Sequence, residues 1–389
     1  MMEIKSLLME LIILLKMKIN QITLKNFRNY KDCFVEFDPF INIFIGKNAQ
    51  GKTNLLEAIY ILSMSKSFKT NLIEELIYFG EDFAKIQGQI VSHEQDMNLE
   101  IVLSTLGKKA IINHKEIKKT SDYVGYLNVV LFIPEDLMLI KGSPRLRRKL
   151  IDIEISKISP IYMYNLNKYN KLLKERNKYL KMLHEKHKGY DEYLEVLSEQ
   201  MARIQVDLIK KRIEFVDLLD KISATIYDYI SFHEEKLHIQ YKSVYKDISY
   251  EGILEKYKKT YQRDISYSQT MDGIHKDDML MFLDDKDAVV YASQGQQRSI
   301  VLAIKIGLLE LIKKEIGEYP ILLLDDVLSE LDDVRKTKLL NLIQGKVQTF
   351  LTSTSVDGIH HQVIDMAKKI VIENGQVKGE DNGRKQSRT

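Results

Sequence analysis

Eight consecutive residues near the start of the chain have the types and spacing that bind nucleotide phosphates. They fit the pattern GxxxxGK[ST] in full and are Gly46, Lys47, Asn48, Ala49, Gln50, Gly51, Lys52 and Thr53. An apolar segment precedes them and a helical pattern opens at Asn54, which is the context that a phosphate-binding loop requires. Backbone N–H groups, those near Asn54 included, would face the phosphates, and Lys52 would bridge the outer ones. The Thr53 hydroxyl would bind Mg²⁺, which prefers oxygen ligands.

An acidic pair far downstream completes this chemistry. The apolar run at residues 321–324 ends at Asp325 and Asp326. A continuous apolar strand is typical of a parallel sheet, whose ligands bind at the carboxyl ends of the strands. We predict that Asp325 holds Mg²⁺ and that Asp326 polarises the attacking water. Lys52, Asp325 and Asp326 are thus the predicted catalytic residues.

A third motif opens a helix shortly before the acidic pair. A Ser/Gly turn at a helix start is an anion-binding N-terminus. In ABC-type ATPases such a signature caps the γ-phosphate held by the other subunit, and a plain N-capped helix is the alternative. Ser329-Glu330-Leu331-Asp332 resembles the ABC D-loop, a dimer-contact element. The predicted nucleotide contacts from these two motifs are Ser293, Gln294, Gly295, Gln296 and Asp332.

Composition limits the kind of protein that carries these motifs. Hydrophobic residues make up 44% and charged residues 29%, which excludes a mostly disordered, collagen-like or polytopic membrane chain. Fifty-eight Lys and Arg against 55 Asp and Glu leave a net charge of +3, so any nucleic-acid site must come from local clustering. The single cysteine, Cys33, excludes an intrachain disulfide and a Cys-based zinc site, and fits a reducing, intracellular compartment.

Hydrophobic patterns place the motifs on a discontinuous domain. Residues 17–155 and 265–375 are predicted to form an α/β ATPase head, in which residues 84–112 alternate as antiparallel strands do. Residues 156–264 are predicted to form a helical arm, a short antiparallel coiled-coil-like pair. One seam reads Tyr162, Leu166, Tyr169, Leu173, Arg176, Leu180, Leu183, and the other reads Leu194, Leu197, Met201, Ile204, Leu208, Lys211, Phe215, Leu218, Ile222.

The two ends of the chain carry weaker signals. The apolar run within residues 1–16 is too short to span a bilayer, and no small-residue cleavage site follows it. We expect either a mis-assigned start, with the chain beginning at Met17, or an amphipathic N-terminal helix. Residues 376–389 are predicted to be a polar, frayed tail.

With these motifs in place, the chain resembles the RecF family of bacterial DNA replication and repair ATPases, which have an ABC/SMC-type head. The resemblance runs from Met17 to about residue 372. Beside the phosphate-binding loop and residues 325–332, it rests on short stretches that look like the family's: NFRNY at 26–30, KSFKT at 66–70, PEDL at 134–137, KGSP at 141–144, then Arg147, Arg148 and Asp152. By this resemblance Arg28 is expected to approach the nucleotide.

The chain departs from the patterns of the family and of related ATPases at a few positions. Leu150 stands where an aromatic residue is usual, and Ile274 and Lys276 replace Pro and Arg in the stretch 272–278. Pro134-Glu135 falls where SMC heads carry a glutamine that contacts Mg²⁺. Ser353 and Thr354 stand where transporter ATPases carry a switch histidine, and a hydroxyl there suggests slow turnover.

The resemblance implies a function in recombinational and replication-gap repair. It implies ATP and Mg²⁺ as cofactors and a weak, DNA-stimulated ATPase. An ATP-dependent homodimer would clamp double-stranded DNA or single-strand/double-strand junctions, and hydrolysis would release it. It further implies action with RecR and RecO to help RecA load, in the cytoplasm and at the nucleoid, with no membrane partner.

Basic clusters are the candidates for DNA contact. The DNA candidates are Lys66, Lys69, Arg145, Arg147, Arg148 and Lys149. Their contacts would be to phosphates and independent of sequence, since no base-reading motif is visible; for the arginine run the alternative is a solvated helix face. Two rival functions stay open. One is a transporter ATPase subunit, against which the inserted arm and the absent switch histidine argue. The other is a nucleotide-gated structural clamp with negligible turnover.

Overall fold

A computed structural model describes residues 17–232, 234–355 and 362–381 of the chain. The strands, in chain order, are β1 (Lys18–Phe27), β2 (Tyr30–Glu36), β3 (Ile41–Ile45), β4 (Phe83–Ser92), β5 (Gln95–Ser104), β6 (Gly107–Ile112), β7 (Lys115–Ile117), β8 (Val129–Phe132), β9 (Leu237–Lys242), β10 (Asp278–Leu283), β11 (Lys286–Asp287), β12 (Ile321–Asp325), β13 (Thr349–Ser353), β14 (Lys368–Glu373) and β15 (Gln376–Asp381).

The helices follow the same order. They are α1 (Lys52–Met64), α2 (Met138–Lys141), α3 (Pro144–Ile158), α4 (Pro160–Glu185), α5 (Glu192–Ile230), α6 (Tyr250–Ser266), α7 (Ala288–Tyr291), α8 (Gln294–Ile316), α9 (Asp333–Ile343) and α10 (Gln362–Asp365). Short 3-10 turns occur at Glu74–Leu76, Thr120–Asp122, Pro134–Leu137 and Val327–Glu330.

The central sheet carries the strands that lead into the predicted catalytic motifs. Its order is β15-β14-β3-β13-β12-β8, and every neighbouring pair is parallel except β14 and β15. All five residues of β12 and four of the five of β3 are buried, as expected for strands covered on both faces. The two apolar runs of the sequence therefore form the middle of an α/β sheet, and the predicted fold class is confirmed.

A second sheet is antiparallel throughout. Its order is β2-β1-β4-β5-β6-β7. Buried and more exposed residues alternate along β4, which matches the alternation seen in the sequence over residues 84–112. The turn between β1 and β2 lies at residues 28–29, where Arg28 adopts a φ of 53°. This turn is short, and it brings the residues that follow it close to the phosphate-binding loop.

The described residues divide into two compact units at other boundaries than the sequence indicated. The second unit is Leu137–Val301, and the first contains the described residues before and after it. The second unit extends beyond residues 156–264 because buried ion pairs tie the flanking segments to the arm. Arg212 in α5 pairs with Asp152 in α3, and Arg147 in α3 pairs with Asp278 in β10. The unit also contains the antiparallel sheet β11-β10-β9, so it is not helical alone.

The two arm helices follow their predicted seams for only part of their length. The seam of α5 is buried from Leu194 to Leu208, but Lys211 is only partly buried and Arg212 takes the inner position. Further on, Leu219 is buried while Leu218 is not. A straight helix of 3.6 residues per turn drifts away from a strict heptad by about 20° per repeat, which shifts the buried stripe by one residue. The arm is therefore packed as ordinary helices.

The chain ends differ from expectation in one respect. Residues 376–381 form the edge strand β15 through pairing with β14, so this part of the predicted tail is ordered by backbone hydrogen bonds although its side chains are mostly exposed. Residues 1–16 and 382–389 lie outside the described residues, and so do the predictions made for them. No helix in the described segments has the length and apolarity needed to cross a membrane.

Candidate active site

The phosphate-binding loop is closed around the ammonium group of Lys52. The loop connects β3 to α1, and Gly51 turns into the helix with a φ of 114°, in the left-handed region that favours glycine. The Lys52 side chain is mostly buried, and its Nζ donates to the carbonyl oxygens of Gly46 (2.5 Å) and Lys47 (2.8 Å). The positive charge therefore lies at the start of α1, where the helix dipole also favours an anion.

The turn between β1 and β2 supports the loop from one side. Asn29 Nδ2 donates to the Gln50 carbonyl (3.1 Å), and Asn29 Oδ1 accepts from Asn54 Nδ2 (2.9 Å). The Tyr30 hydroxyl donates to the Gly51 carbonyl (3.0 Å). These bonds take up loop carbonyls, and the Gly46 N–H donates to the Ser353 carbonyl (3.4 Å). Asn54, predicted to contact nucleotide, thus also fixes the loop.

The hairpin between β14 and β15 supports the loop from a second side. The backbone N–H of Asn374 donates to Gln50 Oε1 (2.7 Å), and that of Gly375 donates to the Gln50 carbonyl (3.0 Å). Gly375 has a φ of 69°, and a Cβ there would lie 2.0 Å from the carbonyl oxygen of Asn29. Only glycine fits this approach. The β14–β15 hairpin therefore helps to hold the loop.

The first acid of the pair lies beside the loop threonine. Asp325 is 9% exposed, and its Oδ1 accepts hydrogen bonds from Thr53 Oγ1 and Thr352 Oγ1, each at 2.8 Å. Thr352 reaches it because β13 pairs with β12 in parallel, with Thr352 opposite Asp325. Burial raises the pKa of Asp325, and the two hydroxyl hydrogen bonds oppose that rise. The carboxylate is therefore desolvated and only partly compensated.

These oxygens fit a magnesium ion. Within the described residues, Asp325 Oδ2 accepts no hydrogen bond, and it belongs to the same carboxylate that contacts Thr53. A hydroxyl and a carboxylate side by side are the hard oxygen ligands that Mg²⁺ prefers. A cation would also relieve the desolvation of the buried carboxylate. The two predicted metal ligands, Thr53 and Asp325, are thus adjacent.

The second acid is exposed and open to solvent. Asp326 has a φ of 53°, and its backbone N–H donates to Thr352 Oγ1 (2.8 Å), which fixes this unusual conformation. Its carboxylate accepts no hydrogen bond within the described parts of the chain. Burial lowers the pKa of Lys52, and the carboxylates of Asp326 and then Asp325 oppose this, so Asp326 lies within electrostatic reach of the loop lysine. A free carboxylate at this edge can accept a proton from water.

Arg28 is committed to a protein carboxylate. Its Nε and Nη2 donate to the two oxygens of Glu57 in α1 (2.9 and 2.8 Å), and its Nη1 donates to the Glu75 carbonyl (2.7 Å). Glu57 is fully buried and also accepts from the Ser67 hydroxyl. This bidentate pair anchors the β1–β2 turn to the nucleotide helix. A direct contact of Arg28 with nucleotide stays a prediction.

Lys69 is exposed, and its ammonium group lies beside the nucleotide helix. Its Nζ donates to Asn54 Oδ1 (3.1 Å) and lies 4.0 Å from Glu57 Oε2. Burial lowers the pKa of Lys69, and the carboxylates of Glu57 and Asp325 oppose that shift. Its charge is thus held near groups of the phosphate-binding region, and its contact with DNA stays a prediction.

The signature turn, in the second unit, is an N-cap with a free hydroxyl proton. The Ser293 hydroxyl oxygen accepts from the Gln296 backbone N–H (3.3 Å), and the Ser293 N–H donates to Gln296 Oε1 (2.6 Å). This is a reciprocal capping box, and it leaves the Ser293 O–H free to donate to an anion. Ser293 and Gln294 are exposed and Gly295 is half-buried. The turn therefore presents an anion-binding helix start to solvent.

A carboxylate from another segment holds the capping glutamine. Gln296 Nε2 donates to Glu235 Oε1, while Glu235 Oε2 accepts from the Tyr227 hydroxyl (2.9 Å). Tyr227 lies in the last turns of α5 and Glu235 follows that helix. The geometry of the turn is thus linked to the end of the long arm helix. Nothing in the sequence spacing indicated this link.

The D-loop acid has a local structural role. Asp332 caps α9, since its Oδ1 accepts from the Arg335 backbone N–H (2.9 Å), and its other oxygen pairs with the Arg335 side chain. Its side chain is half exposed. The cap fixes the position of Asp332, and its contact with nucleotide stays a prediction.

The arginine run predicted for DNA separates into buried and exposed members. Arg147 is 4% exposed, and all its donor groups are used by Asp278 and by the carbonyls of Leu139, Ile140 and Gly142. Arg147 is therefore unavailable to a phosphate and is removed from the candidates. Arg148 is half-buried and donates to the Asp277 carbonyl (2.6 Å). The spacing of the run could not reveal that two of its members face inward.

Other members of the predicted basic clusters stay exposed. Arg145 and Lys149 are exposed on the first turns of α3 and form no hydrogen bond or ion pair with any described residue. Lys66 is exposed after the end of α1. These three positions remain DNA candidates, together with Lys69 and the half-buried Arg148. Two isolated charges on a helix are a modest surface, so the main basic surface must be sought elsewhere.

Some site residues have no signature of their own. Thr352 joins both acids yet lies in an unremarkable stretch. Asn29, which joins the loop to α1, belongs to the NFRNY stretch, but that stretch did not indicate this contact. The only signal for Thr352 is a hydroxyl near the end of a strand that pairs with the acid-bearing strand. Strand order is set by tertiary packing, which is why spacing along the chain missed it.

Comparison with known proteins places this geometry in a family. A model of the RecF/RecN/SMC N terminal domain matches residues 18–378. A protein of Oceanobacillus iheyensis, named DNA replication and repair protein RecF, is 46% identical over 368 residues, or 93% of this chain and 100% of its own length. A protein of the same name from Bacillus cereus is 46% identical over 93% of this chain and 98% of its own length.

Solved structures show the same similarity. One described as "Structure of the recombination mediator protein RecF-ATPrS in RecFOR pathway" has a TM-score of 0.87 and 35% identity, and covers 93% of this chain and 98% of that chain. An SMC head bound to the C-winged helix domain of ScpA has a TM-score of 0.55 and 16% identity over 94% of this chain and 97% of that one, which supports the fold alone.

Proposed function

The chain belongs to the RecF family of SMC-type ATPases, and we propose that it is an ATP-dependent DNA-binding protein of recombinational and replication-gap repair. Its similarity to replication and repair proteins over 93% of its length supports the repair role. ATP binding is supported by the complete phosphate-binding loop and by similar structures described as RecF bound to ATP and to ATPrS.

One observation carries the ATPase proposal. Thr53 of the phosphate-binding loop and Asp325 of β12 are distant in sequence, yet they are joined by a 2.8 Å hydrogen bond. This contact assembles a loop that binds phosphates and an acid that binds a metal at one sheet edge. A loop without a ligand would have no need of a buried, partly compensated carboxylate at that position.

Each residue of the site has a distinct role in the proposed hydrolysis. Lys52 neutralises the outer phosphates and holds the loop closed. Thr53 and Asp325 hold Mg²⁺, which when bound supplies charge neutralisation to the phosphates. Asp326, whose carboxylate is free of protein donors, orients and polarises the attacking water. Thr352 fixes both acids in place and does not touch the nucleotide.

The exposed signature turn supports action as a homodimer. Ser293 and its neighbours present free donors to solvent at the start of α8, which suits a phosphate held by a second copy of the chain. ATP bound at each loop would join two copies, and hydrolysis would separate them. Nucleotide would thus shift the population between open and DNA-clamping states. DNA would stimulate turnover by favouring the closed dimer.

The partners of the proposed function follow from the relatives. Similar structures are described as RecF in the RecFOR pathway, so RecR and RecO are the expected protein partners, with RecA loading as the outcome. Double-stranded DNA and single-strand/double-strand junctions are the expected nucleic acids. A cytoplasmic location at the nucleoid fits such partners. The Ser353 hydroxyl at the switch position fits slow turnover.

Duplex DNA binding measured with light-scattering mass tests this proposal. Fluorescence anisotropy is recorded at fixed salt with no nucleotide, with Mg-ATP and with a slowly hydrolysed ATP analogue. We expect ATP to double the mass and to tighten DNA binding, and Lys52→Ala to abolish both effects. ATP binding without a change in mass or DNA affinity would contradict action in trans. Wild-type phosphate release no faster than that of Lys52→Ala in the presence of DNA would favour a structural clamp without turnover.

A further inference from the structure

One helix of the second unit carries a dense row of exposed lysines. Five lysines of α4 have exposed side chains, and in chain order they are Lys168, Lys171, Lys174, Lys178 and Lys181. We call this set the α4 lysine stripe. The α4 helix carries six Lys and Arg against two Glu, a net charge of +4, whereas the whole chain has only +3. The charge clustering that the overall balance hides is therefore found here.

The stripe lies on one side of the helix. Its members are separated by three, three, four and three residues, and at 3.6 residues per turn such steps stay on one face. The buried residues of α4, among them Tyr169, Leu172 and Arg176, occupy the other positions. At 1.5 Å per residue the stripe is about 20 Å long, which is the axial rise of about six base pairs of DNA.

The lysines of the stripe form few ion pairs, although Glu175 and Glu185 lie on the same side of the helix. Within the described residues only Lys181 has an ion pair, a long one of 3.9 Å to the exposed Glu185. The exposed lysines of α6 differ in this respect. Lys258 and Lys259 pair closely with the carboxylates of Glu195 (2.8 Å) and Glu255 (2.6 Å), and Lys256 lies 3.9 Å from that of Asp272.

The neighbouring long helix has the opposite charge. The α5 helix carries five Lys and Arg against eight Asp and Glu, a net charge of −3. Its acids do not neutralise the α4 lysine stripe, although α4 and α5 pack together. An antiparallel pair could be expected to pair its charges across the seam, and here the positive face is left unpaired.

We propose that the α4 lysine stripe is a contact surface for the phosphate backbone of double-stranded DNA. Lysine is a point charge on a flexible stem, which suits phosphates whose spacing need not be matched by a fixed fork. The contact would be independent of sequence and would add to affinity mainly through counterion release. The inference rests on the proposed DNA-binding function and names a surface for it.

An acidic protein is the less suitable occupant. Protein interfaces have an apolar centre, and no large hydrophobic side chain is exposed between Lys168 and Lys181. The exposed Ile161 and Tyr164 precede the stripe, and one partly exposed ring, that of Tyr193 in α5, packs against Tyr179 beside it. A surface of lysines without apolar anchors matches a polyanion whose charges are evenly spaced. The observations therefore favour nucleic acid.

The test compares two triple variants that remove the same charge. Lys171→Gln, Lys174→Gln and Lys178→Gln neutralise the stripe, and Lys256→Gln, Lys258→Gln and Lys259→Gln neutralise three paired lysines of the same unit. Duplex DNA affinity is measured with Mg-ATP from low to high salt. We expect the stripe variant to bind roughly tenfold or more weakly at low salt, with the slope of log K against log salt reduced by about 2 to 3. We expect the control to stay within about twofold of the wild type, because its lysines lie outside the stripe and next to carboxylates that offset their charge.

The remaining results separate this inference from the proposed function. Equal weakening in both variants would overturn it, because net charge alone would then explain binding. Wild-type affinity and slope in the stripe variant would also overturn it and leave DNA binding intact, with an acidic protein as the next occupant to test. A wild-type protein that binds no duplex DNA would reject the proposed function and the inference together. ATP-dependent mass and thermal unfolding are recorded for each variant, so that a folding defect is recognised.

Discussion

Two pairs of adjacent aspartates, Asp277–Asp278 and Asp325–Asp326, differ in how fully the protein compensates their carboxylates. In the second unit, Asp277 accepts from the Tyr241 hydroxyl and the Val244 N–H, and Asp278 accepts two bonds from Arg147. In the first unit, Asp325 is met only by two threonine hydroxyls, and the carboxylate of Asp326 has no protein donor within the described residues.

The difference separates structural charge from functional charge. Where cations and donors surround a carboxylate, its negative charge stabilises the fold and is not available to a ligand. Where a carboxylate is buried without enough donors to offset its charge, as for Asp325, a metal ion can supply the missing positive charge. The presence of a guanidinium in contact with the acid therefore distinguishes the two pairs better than burial does.

The largest expected effect is on ATP hydrolysis and comes from the Asp325–Asp326 pair. Asp326→Asn should lower kcat roughly 1000-fold, about 4 kcal/mol, because an amide cannot accept the proton of the attacking water. Asparagine tolerates the positive φ of this position, so the fold should be kept. Phosphate release and the lifetime of the ATP-bound dimer are the measurements, and the dimer should last longer. Wild-type turnover would remove Asp326 from the catalytic role, and Asp278→Asn serves as the control for charge alone.

Substitution in the Asp277–Asp278 pair should instead lower the stability of the fold. Asp278→Asn should lower the free energy of unfolding by about 3 kcal/mol, because the buried guanidinium of Arg147 loses its bidentate anion. Urea unfolding followed by far-UV circular dichroism gives this value, and ATP affinity should stay unchanged. The matched substitution is Asp325→Asn, which should leave stability nearly unchanged because it removes a desolvated charge whose pKa burial raises. Equal destabilisation by both would refute the distinction between the pairs.

A smaller effect is expected from pH, again in the second unit. Burial lowers the pKa of His275 to about 4, and the charges of Lys276, Arg148 and Arg176 act in the same direction. The neutral ring accepts from the Tyr169 hydroxyl at Nδ1 and donates to the Thr270 carbonyl from Nε2.

Because the folded-state pKa lies below the unfolded value of about 6.5, the stabilising contribution is complete above pH 6.5 and is lost as pH falls toward 4. The loss should be about 2 kcal/mol, measured as the change of urea midpoint between pH 7 and pH 4.5. His275→Gln removes this titrating group, so its midpoint should fall less over the same range. Parallel profiles for the two proteins would contradict the assignment.

The smallest expected effect comes from the hydrogen bond between Glu235 and Gln296, which holds the signature turn. Glu235→Ala frees the amide of Gln296, so the capping box is held less well and ATP-driven association should weaken about fivefold, or about 1 kcal/mol. Nucleotide affinity of the monomer should not change. Glu234→Ala, an exposed neighbour of the same charge, is the control. In a Gln296→Ala background the effect of Glu235→Ala should vanish, whereas a general defect of the arm would persist there.

The predicted fold and the chemistry of the nucleotide motif were accessible from local pattern. The strands Ile41–Ile45 and Ile321–Asp325 were readable as apolar runs, and the helices of the arm were readable from their seams. These features depend on period and residue type, which are properties of neighbours along the chain. The boundaries of the arm unit were not readable, because the ion pairs of Arg147 and Arg212 that extend it join distant segments.

The basic clusters show most clearly what the sequence pattern could not predict, namely which charges are exposed. The run from Arg145 to Lys149 looked like a surface for phosphates, but Arg147 is enclosed by Asp278 and backbone carbonyls. The lysines of α4 lie between the apolar seam positions, and the seam pattern predicts only which side of the helix is buried. Only burial and ion pairing, which arise from contacts across the fold, show which charges are available to a partner.

The sequence by itself determined which groups could do chemistry: a loop whose glycines and lysine bind phosphates, an acid pair after an apolar strand and a Ser/Gly turn at a helix start. Tertiary structure alone decided which of these groups lack compensating charges and hydrogen-bond donors. The order of the central sheet brings Thr352 to Asp325, whereas the folding of the second unit surrounds Asp277 and Asp278 with cations and donors. The physical reason is that a charge is free to act only where packing leaves it uncompensated, and compensation comes from residues that are distant along the chain.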